Sequence, residues 1–179
     1  MSRISIPTVE QSVEASKPLL AAVKQQLGVV PNLMKLVGHS PAALEGYLSL
    51  NGALNKGKLD GALRERIALA VAEFNGCDYC LSAHTYLGLN VAKLSEADIA
   101  AARDHQNSDP KIGAALRFAF RVASERGRVS DADIASLRQV GFDEAEIIEI
   151  VLVVALNVLT NYVNNVAQTD IDFPKVSAK

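Results

Sequence analysis

Residues 60–84 read DGALRERIALAVAEFNGCDYCLSAH, and this stretch decides how the chain folds. Asp60 is a favourable helix N-cap, and the apolar residues after it recur at helical spacing, which predicts a helix over Gly61–Phe74. Asn75-Gly76 interrupts the pattern because both residue types favour turns. A second helix is then predicted to carry the cysteines and to end near Gly88.

Start and stop signals of the same kind divide the rest of the chain, and no stretch shows the alternation of a β-strand. Further helix starts are predicted at Ser16-Lys17-Pro18, Pro31, Ser40-Pro41, Ser95 with Asp98, Asp109-Pro110, Ser130 with Asp133, and Asp143 with Glu146. The matching ends fall near Gly28, Gly38, Asn51, Gly127 and Ala167. The sequence therefore predicts an all-α bundle of about eight or nine helices in a single domain, residues 1–179, with an extended tail from about residue 168.

Composition narrows the class of protein further. Hydrophobic residues make up 49% of the chain but aromatic residues only 5%, so the core must be built from Ala, Leu, Val and Ile, as in close-packed helices. The net charge is −2 and no basic block is present, which argues against nucleic-acid binding. The N-terminus lacks an apolar signal segment, and the longest apolar run, residues 150–156, is too short to span a bilayer. We therefore expect a soluble, cytoplasmic protein without a membrane partner.

The two cysteines of the chain, Cys77 and Cys80, are close together, and His84 follows one helical turn after the second. At about 100° per residue, a helix places all three on one face. In a reducing cytosol a lone CxxC pair is more often catalytic or metal-binding than structural. The motif therefore predicts redox or metal chemistry.

The spacing supports a specific redox cycle. A thiolate is the nucleophile, and a free cysteine titrates at a pKa of about 8.5, so rapid attack at neutral pH needs a base or a helix N-terminus nearby. His84 can accept the proton of Cys80, and the start of the second helix favours an anion. Cys80 would be oxidised to a sulfenic acid, Cys77 would then form a disulfide with it, and an external dithiol would reduce the pair.

Two carboxylates, Glu65 and Glu73, lie in the preceding, otherwise apolar helix. Either could face the CxxC helix across the break at Asn75-Gly76, where a carboxylate near His84 would orient the imidazole and help to move protons. The alternative is that they form a solvated face with neighbouring arginines.

Three other interpretations of the motif stay open at this stage. Cys77, Cys80 and His84 supply three ligands for zinc, with Glu or water as the fourth, although no second Cys/His cluster follows. The cysteines could also be two buried apolar thiols in a non-enzymatic helical oligomer. Finally, the same residues could serve a disulfide reductase or redox sensor.

The last helix offers two weaker signals. When residues 60–84 are aligned with residues 144–168, Cys77 falls on Asn161 and Cys80 on Asn164, which suggests a degenerate repeat of a helix pair. Four asparagines occur in this helix, and they either line a pocket or interface or form a solvated face: Asn157, Asn161, Asn164 and Asn165.

The motif region resembles the AhpD-like superfamily, which includes the carboxymuconolactone decarboxylase family. The resemblance rests on residues 63–67 (LRERI), residues 75–80 (NGCDYC) and His84, and it is strongest over residues 60–90. Segments elsewhere resemble its peroxidase-related branch: residues 28–32 (GVVPN), 39–41 (HSP) and 170–174 (DIDFP).

The resemblance implies an all-helical, homo-oligomeric thiol peroxidase. Cys80 would be the peroxidatic cysteine, Cys77 the resolving cysteine, His84 the motif histidine and Glu65 the proton relay. The implied partners are a hydroperoxide substrate and a dithiol reductant of the lipoyl or thioredoxin type, and no metal, flavin or haem is implied as cofactor. Decarboxylation is not expected, because the family members named for that reaction generally lack the CxxC.

One residue departs from the family pattern. AhpD itself places a second histidine just before the peroxidatic cysteine, where this chain has Tyr79. Tyrosine can donate a hydrogen bond but is a poor base near neutral pH, since its reference pKa is about 10. We therefore keep Tyr79 among the candidate catalytic residues, as a hydrogen-bond donor with packing as the alternative, and expect a shorter proton relay and a weaker or differently tuned peroxidase.

Overall fold

The structure, a computed structural model, describes residues 2–179. Within these residues it contains nine α-helices and one short 3-10 helix, Glu14–Ser16, and no strand, so the predicted all-α class is confirmed. The helices are α1 (Lys17–Leu27), α2 (Asn32–Val37), α3 (Pro41–Leu54), α4 (Gly61–Phe74), α5 (Asp78–Asn90), α6 (Glu96–Arg103), α7 (Pro110–Ser124), α8 (Asp131–Gln139) and α9 (Glu144–Ala167).

Side-chain caps fix most of these helix starts. A capping box, in which the N-cap side chain and the N3 side chain each bind the other residue's backbone amide, opens α6, α8 and α9. These are the pairs expected from sequence: Ser95 with Asp98, Ser130 with Asp133, and Asp143 with Glu146. Single caps open α3, α4 and α7 through Ser40, Asp60 and Asp109. Local sequence thus determines where these helices begin.

Helix α4 lies at the centre of the bundle, in contact with α5, α6, α7 and α9. Its buried positions include the small residues Ala70 and Ala72, which let neighbouring helices approach closely, and the larger Ile67 and Leu69, all fully buried. Truncating a large side chain in such a position costs about 2–5 kcal/mol. The helix that carries the predicted proton relay is therefore held from several sides.

Helix α9 is long and apolar, and it is the one helix within residues 2–179 that passes a length-and-composition test for crossing a membrane, with a mean hydropathy of 1.8. The sequence analysis considered only the uninterrupted apolar run, residues 150–156. It did not consider that the polar residues after this run are uncharged, so that a longer stretch of the helix stays apolar on average. In the structure α9 packs against α3, α4, α5 and α7, and 44% of the tested window is buried inside the bundle. The core helix of a soluble protein passes the same test.

The suggested repeat of a helix pair is not what the structure shows. Residues 60–84 form α4, a break and the first half of α5, whereas most of residues 144–168 form the uninterrupted helix α9. Asn161 and Asn164 therefore do not occupy a second copy of the CxxC turn.

The C-terminal tail, residues 168–179, is extended, as predicted, and it lies along α5. Ser82 on α5 exchanges hydrogen bonds with the backbone of Val176, at 2.9 and 3.3 Å. The amide of Ala178 donates to the carboxylate of Asp78 at 2.9 Å. The tail thus holds the helix that carries the CxxC motif.

Candidate redox site

The break between α4 and α5 places the cysteines. Asn75 caps the end of α4, and Gly76 has a φ of 60°, a left-handed conformation that glycine adopts without strain. Cys77 is then extended (φ −98°, ψ 91°) and is the N-cap of α5. Cys77 therefore lies just outside the helix, which corrects the expectation that Cys77, Cys80 and His84 share one helical face.

Cys77 and Cys80 form a disulfide, with their Cα atoms 5.3 Å apart. The Cys77 sulfur also accepts a hydrogen bond from the backbone amide of Cys80, with the two atoms 3.3 Å apart, and so caps α5. Cys77 is fully buried and Cys80 is 2% exposed. The predicted pairing is thus present, in a site closed to solvent.

The side chains of His84 and Glu65 meet across the break. Nδ1 of His84 lies 2.8 Å from Oε2 of Glu65, and the two side chains are 22% and 23% exposed. Because Nδ1 faces the carboxylate, Nε2 is the ring nitrogen left to exchange a proton with a reactant. His84 follows Cys80 by one turn of α5, so both side chains point to the same side of that helix.

Amide side chains of α9 close the opposite side of the site. Nδ2 of Asn164 lies 3.3 Å from the Cys80 sulfur. Nδ2 of Asn75 donates to Oδ1 of Asn161 at 2.8 Å, and Nδ2 of Asn165 donates to the Asn75 carbonyl at 2.9 Å. Asn161 and Asn164 are buried, which settles the open question about these asparagines in favour of an interior role.

Two polar atoms in this amide cluster are buried without a hydrogen-bond partner among the described residues. They are Nδ2 of Asn161 and Oδ1 of Asn164. Buried polar atoms are rarely left unpaired in folded proteins, and exceptions are often explained by function or by a bound small molecule.

Tyr79 is directed toward the tail. Its hydroxyl donates to Oδ1 of Asp172 at 2.8 Å and accepts from the backbone amide of Leu33 at 3.0 Å, and its ring packs edge-on against Phe173. Burial, and then the negative charge of Asp172, raise the pKa of Tyr79 far above its usual range, so the phenol stays protonated. Its contacts join α2, α5 and the tail.

Glu73, the second candidate carboxylate, is also engaged away from the cysteines. Its oxygens accept from Nε of Arg103 at 2.6 Å and from the backbone amide of Lys179 at 2.7 Å. Of the two carboxylates of α4, the structure therefore brings only Glu65 to His84.

Tyr47 on α3 is a neighbour of Glu65 that the sequence analysis missed. Burial raises the pKa of Tyr47 to about 12, and the charge of Glu65 adds to the effect. Its hydroxyl therefore remains neutral beside the carboxylate at physiological pH. No motif connects the two residues, which come from separate helices, α3 and α4.

Within residues 2–179 no group of three or more His, Cys, Asp or Glu side chains is arranged to hold a metal ion. Two surface cavities, of about 520 and 240 Å³, are lined by other parts of the molecule and by neither cysteine. His84, one turn after Cys80, and its partner Glu65 are both partly exposed.

Comparison with known proteins finds one matching family model and several similar solved structures. Residues 41–125 match the model of the carboxymuconolactone decarboxylase family. The structure of an uncharacterized peroxidase-related protein with an alkylhydroperoxidase AhpD core, from Ralstonia eutropha JMP134, is 25% identical with a TM-score of 0.84, covering 96% of this chain and 92% of that chain. No curated protein matches the sequence.

Two further structures share the fold. An uncharacterized peroxidase-related protein from Silicibacter sp. TM1040 is 22% identical with a TM-score of 0.82, covering 94% of this chain and 91% of that chain. The debrominase Bmp8 is 22% identical with a TM-score of 0.76, covering 94% of both chains.

Proposed function

This chain belongs to the AhpD-like, carboxymuconolactone decarboxylase family, and on that premise we propose that it is a thiol peroxidase that reduces hydroperoxides. One observation carries the proposal. A buried Cys77–Cys80 disulfide lies at the start of the helix whose next turn presents His84, hydrogen-bonded to Glu65. An oxidisable sulfur pair and a proton-transfer pair thus share one element.

In the reduced protein the Cys80 thiolate attacks the terminal oxygen of the hydroperoxide. A sulfur–oxygen bond forms, the oxygen–oxygen bond breaks, and the alkoxide leaves with a proton from His84 to give an alcohol. Sulfur loses two electrons to become a sulfenic acid, and the peroxide gains them. The Cys77 thiolate then attacks the Cys80 sulfur, which releases water once the hydroxyl is protonated.

The two sulfurs have different surroundings, which supports these roles. Cys80 is one turn from His84 and accepts a hydrogen bond from Asn164. Cys77 is the N-cap of α5, where backbone amides stabilise an anion, so it is suited to attack as a resolving thiolate. Glu65 would fix the orientation of His84.

The cycle closes with a dithiol reductant, which donates two electrons and two protons to the disulfide. We propose a reductant of the lipoyl or thioredoxin type. Because both sulfurs are buried, this partner must reach them through a narrow approach or after local opening of the α4–α5 turn.

The test is hydroperoxide consumption with dihydrolipoamide as reductant, for the wild type and for Cys80→Ser. The wild type should turn over and the variant should not. Cys77→Ser is the matched control, because it should still consume one equivalent of peroxide and yield a sulfenic acid that dimedone traps at Cys80. Full turnover in Cys80→Ser would refute the proposal.

A disulfide reductase is the second candidate, favoured by the Cys77 sulfur at the N-cap, a position that suits thiol–disulfide exchange. Such an enzyme would reduce a disulfide substrate such as oxidised lipoamide and ignore hydroperoxides. In that case Cys77→Ser would abolish activity, and peroxide would not oxidise Cys80 at a useful rate.

A further inference from the structure

We propose that Asn164 is a catalytic residue whose side-chain amide donates a hydrogen bond to the Cys80 sulfur and stabilises it as the thiolate. The inference rests on the proposed function, since it assigns a further residue to the same site. It concerns a residue of α9, far in sequence from the CxxC motif.

The contact is direct and buried. Nδ2 of Asn164 lies 3.3 Å from the Cys80 sulfur, within hydrogen-bond range for sulfur. Asn164 is 3% exposed and Cys80 is 2% exposed. A thiolate in such surroundings loses most of its hydration, which by itself would raise the pKa of the thiol. A donor held against the sulfur offsets that loss.

In the structure the Cys80 sulfur belongs to the disulfide and the carboxamide turns its N–H group toward it, and the same orientation suits the thiolate. An amide oxygen directed at a thiolate would repel it, whereas an N–H group is attracted. Oδ1 of Asn164 is then left without a partner among the described residues.

Asn164 differs from the other asparagines of α9 in what its side chain binds. Asn157 donates to a carbonyl of its own helix, and Asn161 and Asn165 bind Asn75. The Asn164 side chain makes a single hydrogen bond within residues 2–179, and its partner is the redox sulfur. Within the described residues, Cys80 is thus the one hydrogen-bond link from the Asn164 side chain to another helix. The position of this buried amide is therefore explained by the chemistry of that sulfur.

Few other groups compete for this role. The titratable groups that α4 and α5 bring to the cysteines are Cys77, His84 and Glu65, whereas Asp78, Tyr79 and Glu73 of the same helices bind the C-terminal tail. Helix α9 has no charged side chain after Glu149, so it contributes amides and no ionic groups to the site. His84 can exchange a proton with Cys80, and Asn164 can only donate, so the two act differently on the same sulfur.

The experiment titrates Cys80 alone. In a Cys77→Ser background Cys80 is the one remaining cysteine, and its thiolate is followed by absorbance at 240 nm between pH 4 and 10. Asn164→Ala removes the donor, and Asn164→Asp keeps the size of the side chain but replaces the donor with a carboxylate. Asn157→Ala is the matched control, because it removes a buried amide of the same helix that binds only its own helix.

The expected result is a fall of about tenfold in the thiolate-to-thiol ratio of Cys80 at neutral pH for Asn164→Ala, a larger fall for Asn164→Asp, and no change for Asn157→Ala. Should either folded Asn164 variant titrate like its parent, the donor role is wrong. The titration needs no peroxide, so a wild type that fails to reduce hydroperoxides would refute the proposed function and leave this result standing.

Discussion

Oε2 of Glu65 lies 2.8 Å from Nδ1 of His84, and this contact joins α4 to α5 across the turn that holds the cysteines. The two residues come from consecutive helices that Asn75 and Gly76 fold back on one another. A carboxylate on one ring nitrogen of a histidine fixes the orientation of the other nitrogen. The geometry of the turn therefore brings the Glu65–His84 pair to the helix whose start carries the disulfide.

Glu65→Gln should lower kcat/KM for hydroperoxide reduction by about tenfold to a hundredfold, because the amide keeps the shape of the side chain but cannot hold a proton or balance a charged imidazole. Steady-state assays with dihydrolipoamide measure the effect. Glu73→Gln is the control, since it changes a carboxylate of the same helix that binds Arg103 and the tail. Equal losses in the two variants would contradict the assignment of Glu65.

Tyr79→Phe should destabilise the protein by about 1–3 kcal/mol, because it leaves the buried Leu33 amide without its acceptor and removes the hydrogen bond that the phenol donates to Asp172. Urea unfolding gives the free energy of unfolding. The specific activity of the folded variant should stay near that of the wild type, since the phenol is engaged with the tail.

Tyr86→Phe provides the comparison for Tyr79. Tyr86 is 43% exposed and its ring also contacts Phe173, so removing its hydroxyl should change the free energy of unfolding by less than about 0.5 kcal/mol. A large loss of activity in Tyr79→Phe with unchanged stability would instead support the prediction that Tyr79 takes part in catalysis.

Asp98 should contribute to stability in acid. Hydrogen bonds from Ser95, and then the ion pair with Arg66, lower the pKa of Asp98 from 3.8 to about 2. A carboxyl whose pKa is lower in the folded state stabilises the protein above the pKa of the unfolded chain. That contribution is lost as the pH falls from about 4 toward 2, and it amounts to about 1 kcal/mol once solvent screening is allowed for.

Thermal unfolding between pH 2 and 7 tests this contribution. Asp98→Asn should lower the melting temperature at pH 6 and leave it nearly unchanged at pH 2, so the curves of variant and wild type converge in acid. Asp133→Asn is the comparison: Ser130 also lowers the pKa of Asp133, but the ion pair with Arg121 is longer and Arg121 more exposed, so its curve should converge by less. Curves for Asp98→Asn that stay parallel to the wild type would contradict the assignment.

The sequence predicted those features that depend on neighbours along the chain. Caps such as Asp60 and Ser95 act within one turn, and the Asn75-Gly76 break joins two consecutive helices, which predicted a carboxylate of α4 near His84 but left Glu65 and Glu73 both open. Asn164 was recognised only as one of several asparagines, because nothing local tells which amide reaches a sulfur 84 positions away.

Two candidate residues have their partners outside the disulfide region, for one physical reason. Helical spacing says which residues lie on one face, but the partner of that face is decided by the packing of distant elements. Tyr79 and Glu73 lie close to the cysteines in sequence, and the side chains of both bind the C-terminal tail. The tail itself was predicted to be extended, yet its path along α5 could not be predicted from its own residues.

The protein should form a homo-oligomer, and the outer face of α9 is the surface that we expect a second copy to cover. Large apolar side chains at helical spacing remain exposed along it: Ile148, Leu152, Leu159, Tyr162 and Val166. An uncharged apolar stripe of this length is unusual on a monomer and can pair with its own copy about a twofold axis.

Light scattering at micromolar concentration should therefore give a mass that is a multiple of 19.1 kDa. Leu159→Glu should shift the protein toward the monomer, because association would bury the new carboxylate. The control is Ser136→Glu, which adds a carboxylate to the exposed surface of α8 and should leave the mass unchanged. A change at Glu149 of α9 would be less suitable, because its carboxylate binds the backbone of Lys58 and Leu59. A monomeric wild type would reject the prediction, and an oligomer unaffected by Leu159→Glu would move the interface to another surface.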